Sequence, residues 1–102
     1  MKRLALLLAL SSCAPTVFQE QGVTFVPEPR SLVEAASPKG MAYRVDAVAI
    51  REANVVLVAD DAVISQSLRR HELNHFKRDP DSPTGFCEHL PDGKTWINPI
   101  CQ

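Results

Sequence analysis

Residues 55–78, VVLVADDAVISQSLRRHELNHFKR, decide the fold. Positions 55–59 form an unbroken aliphatic run with no polar face, which is the pattern of a strand buried on both sides. Asp60 and Asp61 then offer an N-cap, and no Pro or Gly interrupts residues 62–78, so a helix is expected there. Ile64, Leu68, His71 and His75 share one face of that helix, apolar at its start and imidazole at its end. Leu73 and Phe76 lie on another side and are expected to anchor it to the strands. Lys77 and Arg78 suit the last turn, and Pro80 stops the helix. Upstream, residues 43–50 alternate imperfectly and pair with 55–59 across the loop Arg51-Glu52-Ala53-Asn54, giving a β-hairpin. Val23 to Val26 reads as one further short strand. Downstream, Pro83, Pro91, Pro99 and the Asp92-Gly93 turn signal predict mostly loop over 79–102. The fold class is α+β: a hairpin, one helix and a C-terminal loop region.

His71-Glu72-Leu73-Asn74-His75 is the segment with chemical content. Residues four apart on a helix lie on one face, so His71 and His75 can address the same ion. Two imidazole nitrogens supply half of a tetrahedral zinc site, and the adjacent Glu72 is placed to take a proton from water. The bland alternative is a solvated end of a polar helix. The pattern H-E-x-x-H is also the signature of zinc-dependent peptidases.

The longer segment HELNHFKRDPD fits H-E-x-x-H followed, six residues after His75, by Asp81. In this it resembles the metzincins, and among them the short snapalysin-like peptidases. Pro80-Asp81 followed by Gly85 and Cys87 is similar to a stretch of that group. The resemblance covers about twenty residues. It implies a minimal zincin-like domain over 41–102, Zn2+ as cofactor, metal ligands His71, His75 and Asp81, and Glu72 as the catalytic base. It also implies that 55–59 is the edge strand that receives substrate backbone. The chain departs from the family where Arg78 replaces a turn-forming Gly, where no Met follows position 41, and at the charged Arg69. His89 and Asp79 therefore stand as alternative third ligands.

The N-terminus is a separate signal. Lys2 and Arg3 precede an apolar run, Leu4 to Leu10, that is too short to span a bilayer. Leu10-Ser11-Ser12-Cys13 resembles the lipobox of bacterial lipoproteins. That resemblance implies a signal peptide over 1–12, acylation of Cys13, and a lipidated tether over 13–40, broken by Pro15, Pro27, Pro29 and Pro38. In Gram-negative lipoproteins a non-acidic residue after the Cys, here Ala14, implies the outer membrane, so the resemblance implies its periplasmic side. In such an oxidising compartment Cys87 and Cys101 are expected to form a disulfide around Glu88, His89, Trp96 and Pro99. Cys87 as a metal ligand is the other reading. Trp96 is expected to cover the small core, with substrate stacking as the alternative.

Eleven Lys and Arg against twelve Asp and Glu, with no basic patch rich in aromatics, argue against a nucleic-acid partner. The expected protein is a monomeric, lipid-anchored zinc metallopeptidase of the bacterial envelope, acting on a peptide or protein. The rival expectation is a non-enzymatic envelope lipoprotein, phage- or plasmid-encoded, that acts by binding and whose motif is structural or fortuitous.

Overall fold

The computed structural model describes residues 17–38 and 44–102. Cys13 and the expected signal peptide and lipobox lie outside those residues. No helix among the described residues is long and apolar enough to cross a membrane.

The domain is α+β, with a mixed four-stranded sheet between two helices. In chain order the elements are β1 (Phe18–Glu20), β2 (Val23–Glu28), α1 (Arg30–Ala36), β3 (Ala47–Ile50), β4 (Val55–Ala59) and α2 (Gln66–Asn74). The sheet order is β1-β2-β4-β3. β1 and β2 are antiparallel, β2 and β4 parallel, and β3 and β4 antiparallel with Ile50 opposite Val55. The expected hairpin is therefore present. Its connection is a short 3-10 turn, Arg51–Ala53, closed by Asn54 in the left-handed region at φ 53°.

Two expectations are corrected here. Residues 18–36 are not a tether but part of the fold. Thr24 to Glu28 lie in register with β4, and Phe25 is 1% exposed. The proline positions misled because Pro27 sits within β2 itself and Pro29 only precedes α1. Second, β4 is not the edge strand. A parallel partner, β2, covers its other side, and the edges are β3, next to β4, and β1 at the far end. This agrees with the unbroken apolar character of 55–59, which suits a central strand better than an edge.

The strand period of two divides the side chains between two small cores. Val23, Phe25, Val56 and Val58 face α2, where Leu68, Leu73 and Phe76 meet them with Ala47 and Ala49 of β3. Val33 of α1 packs on the opposite face with Val45 and Ala59. Each fully buried Val or Phe contributes roughly 1.5–3 kcal/mol. Arg30 locks α1 to the sheet ends. It donates to Asp61 and Asp46 and to the Val45 carbonyl at 2.7 Å.

The helix is shorter than its sequence suggested. Ser65, not Asp60 or Asp61, caps it by accepting from the Leu68 amide at 3.1 Å. Asp61 is engaged by Arg30 instead. At the other end, amides of Phe76 and Lys77 reach back three residues, to Leu73 and Asn74, which tightens the last turn. His75 is the C-cap, still in helical conformation, so the four-residue offset from His71 survives.

Candidate metal centre

The segment after α2 decides what joins the two helical histidines. Arg78 does not make the left-handed turn that a metzincin arrangement needs. It forms a bridge with Phe86 instead, and the turn falls on Gly85 at φ 77°. Residues 79–85 thus form a closed excursion, with Asp79 N donating to Gly85 O and Ser82 N to Asp79 O. Asp81 is exposed on this excursion and is not brought to the histidines, so the expected third ligand is corrected. Asp79 is buried but organises the loop. Its Oδ1 accepts from the Asp81 amide and from Asn98 Nδ2, each at 3.0 Å.

The third imidazole comes from His89. Ligand atoms of His71, His75 and His89 all lie within 4.8 Å of one another. The chain that carries His89 is a small hairpin. His89 is bridged to Trp96, Leu90 N donates to Thr95 O at 2.7 Å, and Ile97 N donates to Glu88 O at 2.9 Å. The turn between them is built on Asp92, whose Oδ1 accepts from the Lys94 and Thr95 amides. The Thr95 hydroxyl, which donates to Asp92 Oδ2, together with those two amides holds the Asp92 carboxyl down at about 2. Cys87 and Cys101 are disulfide-bonded across the base of this hairpin, as the sequence implied.

The histidines are already prepared to act as donors. His75 Nδ1 lies 3.2 Å from the Cys87 carbonyl, which can only accept, so the proton sits on Nδ1 and the acceptor lone pair on Nε2. His89 Nδ1 donates in the same way to Leu90 O at 2.9 Å. Outer partners of this kind orient metal-binding imidazoles in general. Burial lowers the His75 pKa to about 3, with the charges of His89, His71 and Arg51 adding to the effect. Burial, then His89, lowers His71 to about 4. Both rings are therefore neutral at pH 7.

Arg51, not singled out from the sequence as a site residue, and Trp96, expected over the core or stacking on substrate, complete the surroundings. Arg51, in the turn after β3, donates from Nε to the His75 carbonyl at 2.7 Å and from a terminal nitrogen to Cys87 O at 3.2 Å. It also pairs with Glu88, whose Oε1 lies 3.5 Å from His75 Nδ1. Arg51 thus ties the end of α2 to the start of the His89 hairpin. Trp96 neither covers the core nor belongs to either apolar cluster. Its indole lies 4.7, 5.0 and 5.6 Å from the rings of His71, His75 and His89.

No family model, curated protein or solved structure matches this chain. The site must be read from its own geometry.

A cavity of about 490 Å³ opens onto the three histidines and Glu72. One wall is β3, with Ala47 and Ala49; the other is the hairpin, with Glu88, Leu90 and Pro91. Asp46 O accepts from Ala59 N at 2.8 Å, which sets the ladder phase. Closely bonded pairs in an antiparallel ladder recur every second residue, so Val48 and Ile50 also address β4. The peptide groups of Ala47 and Ala49 then face the outer side of β3. Glu72 is 5% exposed, and its Oε2 lies 3.9 Å from His71 Nε2. Desolvation raises its pKa to about 8. A cation held beside it would favour the carboxylate form.

Proposed function

We propose that this protein is a zinc-dependent peptidase, with His71, His75 and His89 as metal ligands and Glu72 as the proton-handling residue. The observation that carries the reading is the convergence of three imidazoles, two of them held neutral by burial, on the floor of a cavity beside a buried glutamate. Three protein donors with a cavity before them is the composition of a catalytic rather than a structural zinc site. The donor set fits the ion: imidazole nitrogens suit zinc, and two of the rings have Nδ1 engaged by backbone carbonyls. Zinc so held supplies Lewis acidity, polarising a carbonyl and acidifying water.

The chain's own residues account for the rest. The outward peptide groups of Ala47 and Ala49 can pair with an extended segment, since a sheet edge binds backbone with little demand on sequence. Their small side chains leave room between β3 and α2 for that segment. Glu72 takes a proton as the oxygen of water bonds to the carbonyl carbon. It then delivers that proton to the amide nitrogen as the C–N bond breaks. The substrate class is a peptide or protein in extended conformation. The Cys13 motif supports a lipid-anchored protein of the bacterial envelope, whose mature N-terminus mass spectrometry would identify.

Glu72→Gln tests the division of duties. Metal analysis should find about one equivalent of zinc in both proteins, while peptide hydrolysis falls by roughly 10²–10⁴ in the variant. Full zinc occupancy with no hydrolysis of a broad peptide library by the unmutated protein would leave a structural site in a binding lipoprotein. Wild-type protein that takes up no zinc would end the metal reading.

A further inference from the structure

The cavity and the indole meet the three imidazoles differently. His71, His75 and His89 all line the cavity, and Trp96 does not. Yet Trp96 touches every one of the three rings. The six centroid separations among the four rings run only from 4.7 to 5.6 Å. Four points so nearly equidistant mark the corners of a tetrahedron, with the indole opposite the face made by the three imidazoles. Trp96 is held there by its bridge to His89 and by the flanking hydrogen bonds of Leu90 and Ile97.

Resting on the metal-site reading, we propose that Trp96 is a positioning residue for the three histidines: its indole backs the imidazole group on the side away from the cavity and leaves the cavity as the approach to it. Two consequences follow physically. The rings cannot tilt backward without meeting the indole, so their donor atoms stay convergent when no ion is bound. Water is also kept from the rear of the site, and an apolar shell of this kind controls solvent access to a metal. Phe can supply a flat apolar face at the same place; Ala cannot.

The test uses the full protein and cobalt(II) as the probe. Trp96 is the chain's one tryptophan, so its emission reports on this site alone. One equivalent of cobalt should quench most of that emission and give the strong visible bands of a four-coordinate ion. Trp96→Ala should weaken zinc binding about 10–100-fold, the usual range for loss of an outer-shell partner. It should also weaken the cobalt bands as extra water enters. Trp96→Phe should restore both. If Ala does not fold, Trp96→Leu, which is apolar but not flat, takes its place. Cobalt bound with full bands but unchanged tryptophan emission would overturn the proposal. So would an Ala or Leu variant with wild-type zinc affinity and spectrum. If wild-type protein binds no cobalt or zinc, the metal-site reading itself fails and this inference falls with it.

Discussion

The two parts of the domain that supply the three converging histidines are built by different forces. α2 lies on a sheet, and its position is set by apolar burial: Leu73 is 8% exposed against Val56 and Val58, at 0% and 1%. The His89 hairpin has almost no apolar core. It is held by a disulfide, by Arg51 and by a few backbone hydrogen bonds. The first part fixes two histidines by periodicity. The second delivers one histidine by a path that depends on turns. The site therefore joins a rigid half to one that can be detached, and this difference is what experiments should break.

The largest effect should come from removing the histidine that the hairpin supplies. His89→Ala should weaken zinc binding by more than the 10–100-fold that outer-shell losses cost. Asp81→Ala should leave zinc binding unchanged, because its exposed carboxylate is outside the histidine group. Zinc affinities from competition with a chromophoric chelator would read both. The opposite ranking would restore the metzincin spacing and remove the hairpin from the site.

That contrast also explains what was legible in the sequence. His71, Glu72 and His75 were readable because helical geometry follows from local chain alone. The β3–β4 hairpin was readable for the same reason. Spacing favours Asp81 over His89, and spacing carries a ligand only if the intervening turn is made. Arg78, with a side chain, does not adopt the left-handed turn, and Gly85 takes it seven residues later. The signal for His89 was present in Leu90 to Thr95, where Asp92-Gly93 turns the chain and sets His89 opposite Trp96. Its proximity to α2 was not readable, because it depends on Arg51 and the Cys87 carbonyl, two long-range contacts. The short strand at Val23 to Val26 was readable and Pro27 hid only its continuation; its parallel pairing with β4 was hidden, because the partner lies about thirty residues on.

The next effect separates the halves by stability. Removing the Cys87–Cys101 link, by Ser at both positions, should cost about 3 kcal/mol in the chain-entropy model for a loop of this size, closed over a separation of 14 residues. The loss should be regional. Hydrogen exchange should show amides of Leu90 and Ile97 losing protection while β2 and β4 keep theirs, and zinc affinity should fall with the hairpin. Uniform loss of protection would mean that the two halves unfold as one unit.

A smaller effect belongs to α2, which carries three groups whose titration folding alters. His71 and His75 move from an ordinary 6.5 to about 4 and about 3, so below pH 6.5 the unfolded chain binds protons that the folded one refuses. Stability from these two rises with pH up to 6.5. Glu72 moves from 4.5 to about 8, so between those values the folded chain holds a proton that the unfolded one has lost. Its contribution falls as pH rises through that window. Two histidines outweigh one glutamate below 6.5, and above it Glu72 acts alone. Chelator-treated protein should therefore be most stable near pH 6.5 and lose stability toward pH 8 in urea titrations, since these shifts place the turning point there. Glu72→Gln should flatten the alkaline side. An unmutated protein equally stable at both pH values would mean that Glu72 is well solvated.

The smallest effect tests where the rigid half begins. A helix starting at Asp60 or Asp61 would use one of those carboxylates as its cap, and Ser65 would then be an interior residue of no consequence. In the structure Ser65 Oγ accepts from Leu68 N, and the first turn of α2 has no acidic residue to replace it. Ser65→Ala should cost about 1 kcal/mol, the usual loss for an N-cap. Asp60→Ala should stay within about 0.5 kcal/mol, because its side chain is exposed and only its amide is engaged, by Glu28 O. Urea unfolding of the two variants would rank them. The reverse order would lengthen the helix to the boundary its periodicity suggested. The order expected here confines the rigid half to the nine residues that carry His71 and Glu72, with His75 as their cap.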